Sequence, residues 1–494
     1  MTEPKRRPHG RRGTSGNQSR GNNGKRENPK QAQLPRSKGK TGKQPHRCPY
    51  SDRCGGCSAI EVDYNRQLAR KQHEMEQLYA PMAPEVPVEP ILGMACPYHY
   101  RDKVISPYAP GCKSKDEAQG HGQRGGKSTA DQQGNRKRTG KEGSAGGGRR
   151  EILTGMYEKG THRLIPAEKC LVENETAKQV TLAIRDIMAR WDMTPYNEDT
   201  GTGFVRHAVV RVGHESGEVL VTVVTNDEAF PASKAFCREL KRRVPAVTTV
   251  VQNINSRQTN VILGERERVL YGPGFILDTL CGLSFRISSQ SFYQVNSTQT
   301  EVLYNTAMAM AQLGPRTWAI DAYCGTGTIA LVAANRGAQR VVGVDSVESA
   351  IADARQNARH NGIENAQFIA ADATAFMEEL AETVTGDGDN VITPAEHVVA
   401  QGDGGIMTLS PSPVTADELV IFMDPPRAGS TPQFIRAACS LHPARVVYIS
   451  CNPKTQVRDL EQFAKQGYRA TRIQPVDMFP HTPHTECIAL LEPR

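Results

Sequence analysis

The sequence predicts an α/β protein. A doubly wound parallel sheet forms its C-terminal part, behind a β-rich central domain and a small cysteine-bearing N-terminal region. Three observations carry this. From residue 316 onward, short apolar strands alternate with helical stretches: WAIDAY, IALVAANRG, RVVGVD, ESAIADARQNARHN, AQFIAAD, LVIFMD and VVYIS. That alternation argues for parallel strands with helices on both faces. Between 98 and 290, runs such as AVVRVG, EVLVTVVT and TTVVQNI have the apolar, β-branched character of strands. Between 47 and 97, three cysteines crowd into CPYSDRCGGC.

Taken in order, residues 1–46 form a basic tail of Gly, Asn, Lys, Arg, Gln and Pro without periodicity, expected to be disordered. Residues 47–97 hold the cysteine cluster, followed by a helical pattern over YNRQLARKQHEMEQLY. The central domain spans 98–290 and carries a low-complexity insert at 110–150. The C-terminal part is 291–494. It begins with a helix over 291–313, for which Asn296 is the cap and Gln299 the reach-back partner. A second insert, 384–415, is long for a compact domain and is expected to be a surface excursion.

The net charge of +8 is unevenly placed. Residues 1–47 hold 14 Lys and Arg against two acids, a net of +12, and residues 111–150 hold 10 against four, a net of +6. The rest of the chain therefore carries −10. Basic, aromatic-free segments bury too little apolar surface to fold, yet bind polyanions by counterion release. They read equally as solubilising appendages or as RNA-binding arms. No apolar run approaches the ~20 residues of a membrane span, and no apolar core follows the basic N-terminus. A cytoplasmic protein is expected. Its 12 scattered cysteines argue against a disulfide framework and for a metal site or a catalytic thiol.

The stretch WAIDAYCGTGTIALVAANRG reads as strand, glycine turn and helix. Gly325 and Gly327 let the backbone pass close to a ligand. The next strand ends in Asp345, placed to accept hydrogen bonds from a ribose, and the third in Asp372. Without GxGxxG or a following Lys-Ser/Thr, the turn suits neither a dinucleotide nor a nucleoside triphosphate. With Asp321 ahead of it, the turn suits a cationic, phosphate-free ligand such as S-adenosylmethionine. An ordinary tight turn is the plain alternative.

Three further strand ends carry chemistry. VIFMDPPRAG ends at Asp424, YISCNPKTQVRDL presents Cys451, and VDMFPHTPHTECIALLE brings Asp477, His481, His484 and Glu486 to the start of the last strand. A lone strand-end cysteine is usually a small buried hydrophobe. Beside two carboxylates it becomes a candidate nucleophile. C5 of a uracil ring is too weak a nucleophile to take a methyl group directly. A thiolate added at C6 activates C5, and a base must later remove the C5 proton.

SFYQVNSTQTEVLY, DAYCGTGT, FMDPPRAG, YISCNPKTQVRDL and FPHTPHTE, in that order, resemble the RNA uracil-5 methyltransferase family over about 47–110 and 151–494. The resemblance implies a Rossmann-like S-adenosylmethionine-dependent methyltransferase domain that makes 5-methyluridine in ribosomal RNA or tRNA. It implies that Gln294, Tyr323, Thr328, Asp345 and Asp424 line the cofactor and base pocket, with Cys451 as nucleophile and Glu486 as base. CPYSDRCGGC and Cys170 look like the cysteine set of the ribosomal-RNA branch. That implies a [4Fe-4S] cluster on Cys48, Cys54, Cys57 and Cys170, with structural zinc as the alternative, and 23S rRNA ahead of tRNA as substrate. The chain departs from the family in three ways. Asp345 stands where Glu is more frequent, no β-barrel fits into residues 1–46, and the 110–150 insert is atypical.

Two other readings compete. Cytosine-5 methylation would want a cysteine where DPPRAG has Arg427. A non-catalytic RNA-binding protein would have no use for Cys451, Glu486, Asp424 and Gln294 together. A monomer is the default expectation.

Overall fold

The computed structural model describes residues 47–82, 86–111, 151–385, 391–392, 414–415 and 419–494. The basic tail and almost all of both inserts lie outside the described residues.

The N-terminal region packs one helix, α1 (Tyr64–Tyr79), capped by the Asp63 side chain, which accepts from the Arg66 N–H. It coincides with the helical stretch expected there. Its Lys71 is buried and donates to Asp477 at 2.6 Å and to the His484 carbonyl at 2.8 Å. Burial lowers the Lys71 pKa, and the Asp477 carboxylate opposes that. Asp477 is thus a structural partner that ties α1 to the segment before Glu486.

The central domain is a six-stranded sheet in the order β2-β1-β5-β6-β7-β8. Its strands are β1 (Lys103–Pro110), β2 (Ile152–Thr154), β5 (Val205–Val212), β6 (Val219–Thr225), β7 (Val247–Ile254) and β8 (Arg266–Tyr271). A small ladder, β3 (Met156–Tyr157) with β4 (Leu164–Ile165), flanks it in sequence. The expected β-rich domain also contains two helices, α2 (Glu175–Arg190) and α3 (Ser233–Arg243). Ala177, Val180, Ile184, Ile187 and Met188 recur at helical spacing on α2 and bury one sheet face. β6 and β7 run parallel, joined through α3.

A hairpin, β9 (Phe275–Leu280) with β10 (Leu283–Ser288), packs into the apolar core of the catalytic part. The helix expected over 291–313 begins later, as α4 (Ser297–Ala311). The Asn296 side chain accepts from the Gln299 N–H at 3.2 Å, which ends the preceding loop. Gln299 makes no reach-back bond. Its amide donates instead to the Leu92 and Asp477 carbonyls.

The catalytic sheet has seven strands in the order β13-β12-β11-β16-β17-β19-β18. They are β11 (Trp318–Asp321), β12 (Arg340–Asp345), β13 (Ala366–Ala370), β16 (Leu419–Met423), β17 (Arg445–Ser450), β18 (Tyr468–Val476) and β19 (Glu486–Pro493). The helices are α5 (Thr328–Asn335), α6 (Glu348–His360), α7 (Ala373–Thr385), α8 (Pro432–Ser440) and α9 (Pro453–Lys465). The short strands β14 (Val391–Ile392) and β15 (Val414–Thr415) pair within the second insert. Alternate residues of β16 enter opposite cores. Val420 and Phe422 meet α4 and α5, while Ile421 and Met423 meet α1, α7, α8 and α9. The sheet is doubly wound as expected but not wholly parallel, because β19 runs antiparallel to both neighbours. Its start therefore lies at the rim where the parallel strands end. No described helix is long and apolar enough to cross a membrane.

Candidate active site

The sheet register places the chemistry. Ser450 pairs with Cys487 across the β17–β19 ladder, so the next step of the ladder sets Cys451 beside Glu486. Met423 lies opposite Tyr448, which brings Asp424 to the same rim. All nine expected residues line one cavity of about 700 Å³: Gln294, Tyr323, Gly325, Thr328, Asp345, Asp372, Asp424, Cys451 and Glu486. That volume lies within the usual span for a bound small molecule, about 300–1,000 Å³.

The glycine turn is held from below. The Asp345 carboxylate accepts from the Gly325 N–H and the Val347 N–H, both at 2.9 Å. The Asp321 carboxylate, under the turn, accepts from the Ala330 N–H of α5. Its other oxygen is buried without a hydrogen-bond partner, and burial pushes its pKa up to about 8. Gly327 has φ +82°, and a Cβ there would meet the Phe368 ring at 2.8 Å. Gly325 also lies in the left-handed region, at φ +52°, and a Cβ on it would face open space. Thr328 opens α5 and shares a hydrogen bond with the Tyr304 hydroxyl. Asp372 caps α7 through the Thr374 and Ala375 N–H groups, and the Tyr323 hydroxyl meets Ser430.

The charged lining is one-sided. Among the described residues, Asp345, Asp372, Asp424 and Glu486 face a single Arg, Arg427, and no Lys lines the cavity. Such a lining disfavours phosphates and suits a ligand carrying a sulfonium and an ammonium group. Glu486 is 4% exposed. Burial, and then the Asp424 charge, push its pKa up to about 8, while Arg427 opposes. Burial raises Asp424 to about 7. The Cys451 thiol is also raised, first by burial and then by Glu486 and Asp424, and Arg427 pulls it back. Two carboxyls are therefore brought near neutrality, while the thiol is held above its ordinary value, with one guanidinium favouring the thiolate.

Two loops aim these groups. Asn452 donates to the Arg427 carbonyl at 3.0 Å, and Thr455 donates to the same oxygen at 3.2 Å. Pro453 opens α9 at its first turn. The buried Asp459 accepts from the Ser430 N–H and from the Tyr448 hydroxyl, closing the far end of the DPPRAG loop. Phe292, 70% exposed, and Arg427, Phe479 and His484 line the cavity without a role foreseen from sequence. The aromatic pair Phe292–Tyr293 just before Gln294 in SFYQ was the available sign for Phe292.

A second cavity, of about 370 Å³, is lined by Cys48, Cys54, Cys57 and Cys170, together with Arg101 and Lys103. A Cβ on Gly56 would meet the Met156 methyl at 2.9 Å, so the glycine keeps the loop close. Among the described residues, no group of three His, Cys, Asp or Glu side chains is gathered as a ready metal site. His481 fills no catalytic place. It is buried, its carbonyl accepts from the Ser58 and Ala59 N–H groups, and its ring bonds to Gln67 and the Pro97 carbonyl.

Comparison with known proteins adds the family. Residues 314–396 match a model described as a methyltransferase domain, and residues 416–494 match one described as tRNA (uracil-5-)-methyltransferase. An uncharacterised RNA methyltransferase of Oceanobacillus iheyensis is 34% identical over 89% of this chain and 81% of its own length. Another, of Lactiplantibacillus plantarum, is 37% identical over 87% of this chain and 80% of its own. Among solved structures, the Pyrococcus abyssi tRNA (uracil-54, C5)-methyltransferase with S-adenosyl-L-homocysteine superposes with a TM-score of 0.61 at 23% identity. It covers 88% of this chain and 85% of that one.

Proposed function

The chain belongs to the RNA uracil-5 methyltransferase family and is an S-adenosylmethionine-dependent RNA methyltransferase, and from that premise we propose that it methylates C5 of a uridine through Cys451 and Glu486. The observation that carries this reading is the β17–β19 register, which ends at Ser450 and Cys487 and so brings Cys451 and Glu486, one step on, to the acid-lined cavity that both line.

The Cys451 thiolate adds to C6 of the ring. The C5–C6 π electrons move toward O4, and the resulting enolate makes C5 nucleophilic. Bound S-adenosylmethionine would supply an electrophilic methyl group, which passes to C5 as its bond to the sulfonium sulfur breaks and S-adenosylhomocysteine is left. Asp345 fits its ribose, and the Gly325 backbone leaves room for close approach. After transfer, C5 carries both the methyl group and its original proton. The Glu486 carboxylate takes that proton, the C5–C6 double bond re-forms, and Cys451 leaves as thiolate. Raised pKa values fit this division of work, because a base for a carbon acid gains from a pKa nearer the working pH. Extrusion of the target base from its stack would let the ring reach the cavity.

Cys48, Cys54, Cys57 and Cys170 fit a [4Fe-4S] cluster. They line one cavity, and the likeness of CPYSDRCGGC and Cys170 to the cysteine set of the ribosomal-RNA branch is what favours a cubane over structural zinc. Arg101 and Lys103 suit the anion that four thiolates would make around it. The cysteine set favours 23S rRNA as the substrate. The descriptions of the matched model and of the Pyrococcus enzyme favour tRNA as the second reading.

The test is nucleoside mass spectrometry after separate incubation of unmodified rRNA and tRNA transcripts with anaerobically purified protein and labelled S-adenosylmethionine. Labelled 5-methyluridine is expected in one of them. Label only in 5-methylcytidine or an N-methylated base would overturn the roles of Cys451 and Glu486.

A further inference from the structure

Cys451 and His484 line two cavities at once. Beyond the catalytic cavity, on the side of α1, lies a groove of about 640 Å³. It is bounded by Met75 and Leu78 of α1, the segment Cys451–Lys454, and Pro483–Thr485. Neither the proposed reaction nor the cofactor uses it. We propose that this groove holds the ribose–phosphate backbone at the target uridine, with a phosphate seated between the start of α9 and Lys454. The proposal rests on the reading of the chain as a uridine-modifying enzyme.

The connectivity of the ring carries the argument. The methyl acceptor is C5, the thiol adds to C6, and the next ring atom, N1, bears the ribose. A base whose C5 faces the glycine turn and whose C6 meets Cys451 must therefore leave its sugar near Cys451. The groove that shares Cys451 with the catalytic cavity is the space available there.

Its lining suits a sugar phosphate. No side chain caps the N-terminus of the 13-residue helix α9, and the Asn452 amide donates to the Arg427 carbonyl. Pro453 has no N–H, and the Thr455 and Gln456 N–H groups bond to the Asn452 carbonyl, so the Lys454 N–H and the helix dipole are what favour an anion at that position. Lys454, in its first turn, is exposed and lines the groove. Thr485 supplies an independent sign of a ligand. It lines the groove, is 4% exposed, and its hydroxyl is buried without a hydrogen-bond partner. A hydroxyl in that state gains a full hydrogen bond from a phosphate oxygen or a ribose hydroxyl. Met75, Leu78 and the two prolines give the sugar an apolar floor. The one acid on the wall, Glu74, is paired with Arg70 at 3.5 Å. Burial and the nearby Arg427, Lys71 and Arg101 charges lower the His484 pKa, so that ring adds no cation.

The experiment titrates full-length protein with a fluorescein-labelled single-stranded RNA 12-mer containing uridine, from 50 to 300 mM salt. Parent, Lys454→Ala, Lys454→Arg and Thr485→Val are compared. For single strands each phosphate contact contributes about 0.7 to the slope of log affinity against log salt. Lys454→Ala is expected to flatten the slope by about 0.7 and to weaken binding several-fold at low salt, with Lys454→Arg restoring both. Thr485→Val is expected to weaken binding about threefold at unchanged slope. S-adenosylmethionine affinity should be the same in all four proteins, which shows that each is folded. Parallel slopes for parent and Lys454→Ala would overturn the phosphate site. A parent that methylates no RNA would overturn the reaction instead, and the salt slopes would still decide the groove.

Discussion

The catalytic cavity and the cysteine cavity are assembled by opposite means. The catalytic groups hang from one sheet. Asp345 ends a strand, Asp424 and Cys451 each follow one, and Glu486 begins another, so backbone register alone brings residues 424, 451 and 486 together. The cysteines hang from loops. Cys48, Cys54 and Cys57 sit in turns tied by a few backbone bonds, such as Gly55 N–H to the Tyr157 carbonyl at 3.0 Å, and Cys170 comes from a distant segment. The apolar cluster under them is small: Ile60, Met94, Tyr100 and Val172. One site is preorganised by the protein. The other is built from loops over a small apolar cluster.

The thiols differ in the same sense. Cys451 has Arg427 at hand to favour its thiolate. Cys57 is pushed up to about 12, by burial first and then by Cys170 and Cys54, and Cys170 is raised to about 11. Buried thiols crowded together stay protonated unless a cation displaces their protons. The two regions are nevertheless joined. Ser58 and Ala59, just after Cys57, hold the His481 carbonyl, and Lys71 holds that of His484. The loop before Glu486 is thus gripped by the segment that follows the cysteines.

The largest expected effect comes from breaking the preorganised side. Cys451→Ala removes the proposed nucleophile and leaves every backbone contact of the rim in place. Turnover should fall by at least about 10⁴-fold. Affinity for S-adenosylmethionine, followed by calorimetry, should stay within about twofold, because the cofactor turn is built from β11, β12 and α5. Measurable turnover by this variant would remove Cys451 from the covalent role.

A milder effect is expected from the cysteine side. Cys57→Ser should lose iron, seen as the disappearance of charge-transfer absorbance near 400 nm in anaerobic protein. Turnover should drop by about tenfold rather than vanish, as when a supporting contact around a site is lost. The loss reaches the rim through His481 and the loop that carries Glu486. A parent protein that holds zinc and no iron would redirect the cluster assignment, and full activity in Cys57→Ser would show that the two regions work independently.

Much of the catalytic rim was readable from sequence because each group sits where a period changes. A strand pattern ends, an acid or thiol follows, and a helix pattern begins, as at Asp345, Asp424 and Cys451. Three features were not readable. The antiparallel turn of β19 depends on pairing partners, which local pattern does not encode, yet it sets Glu486 beside Cys451. The late start of α4 depends on Gln299 finding the Leu92 and Asp477 carbonyls instead of closing a capping box. The helix α2 was hidden among β-branched residues, although Asn174 caps it and its apolar residues recur at helical spacing. In each case a tertiary contact decided between local alternatives. The four cysteines were readable as a set, but their cavity shows what spacing does not. Two cations, Arg101 and Lys103, line it.

The smallest effect sharpens the contrast from the stability side. Preorganisation at the rim has a thermodynamic signature, because Glu486 is held where its charge is disfavoured. Its pKa rises from 4.5 to about 8, by burial and then by Asp424. Between those values the folded protein binds a proton that the unfolded chain has released. Stability therefore falls as pH rises through that window, and the penalty is fully present only above the folded pKa. Glu486→Gln keeps the shape and cannot ionise. Its melting temperature should match the parent at pH 5 and exceed it by about 2 °C at pH 8.5, a difference that widens steadily between them. Scanning calorimetry of both proteins, at matched ionic strength and without cofactor, reads this directly. A constant difference across the range would mean that Glu486 is ionised in the folded protein at every pH tested. The base would then work with an ordinary carboxylate, and Asp424, also raised by burial, would be the group that holds the proton at the rim.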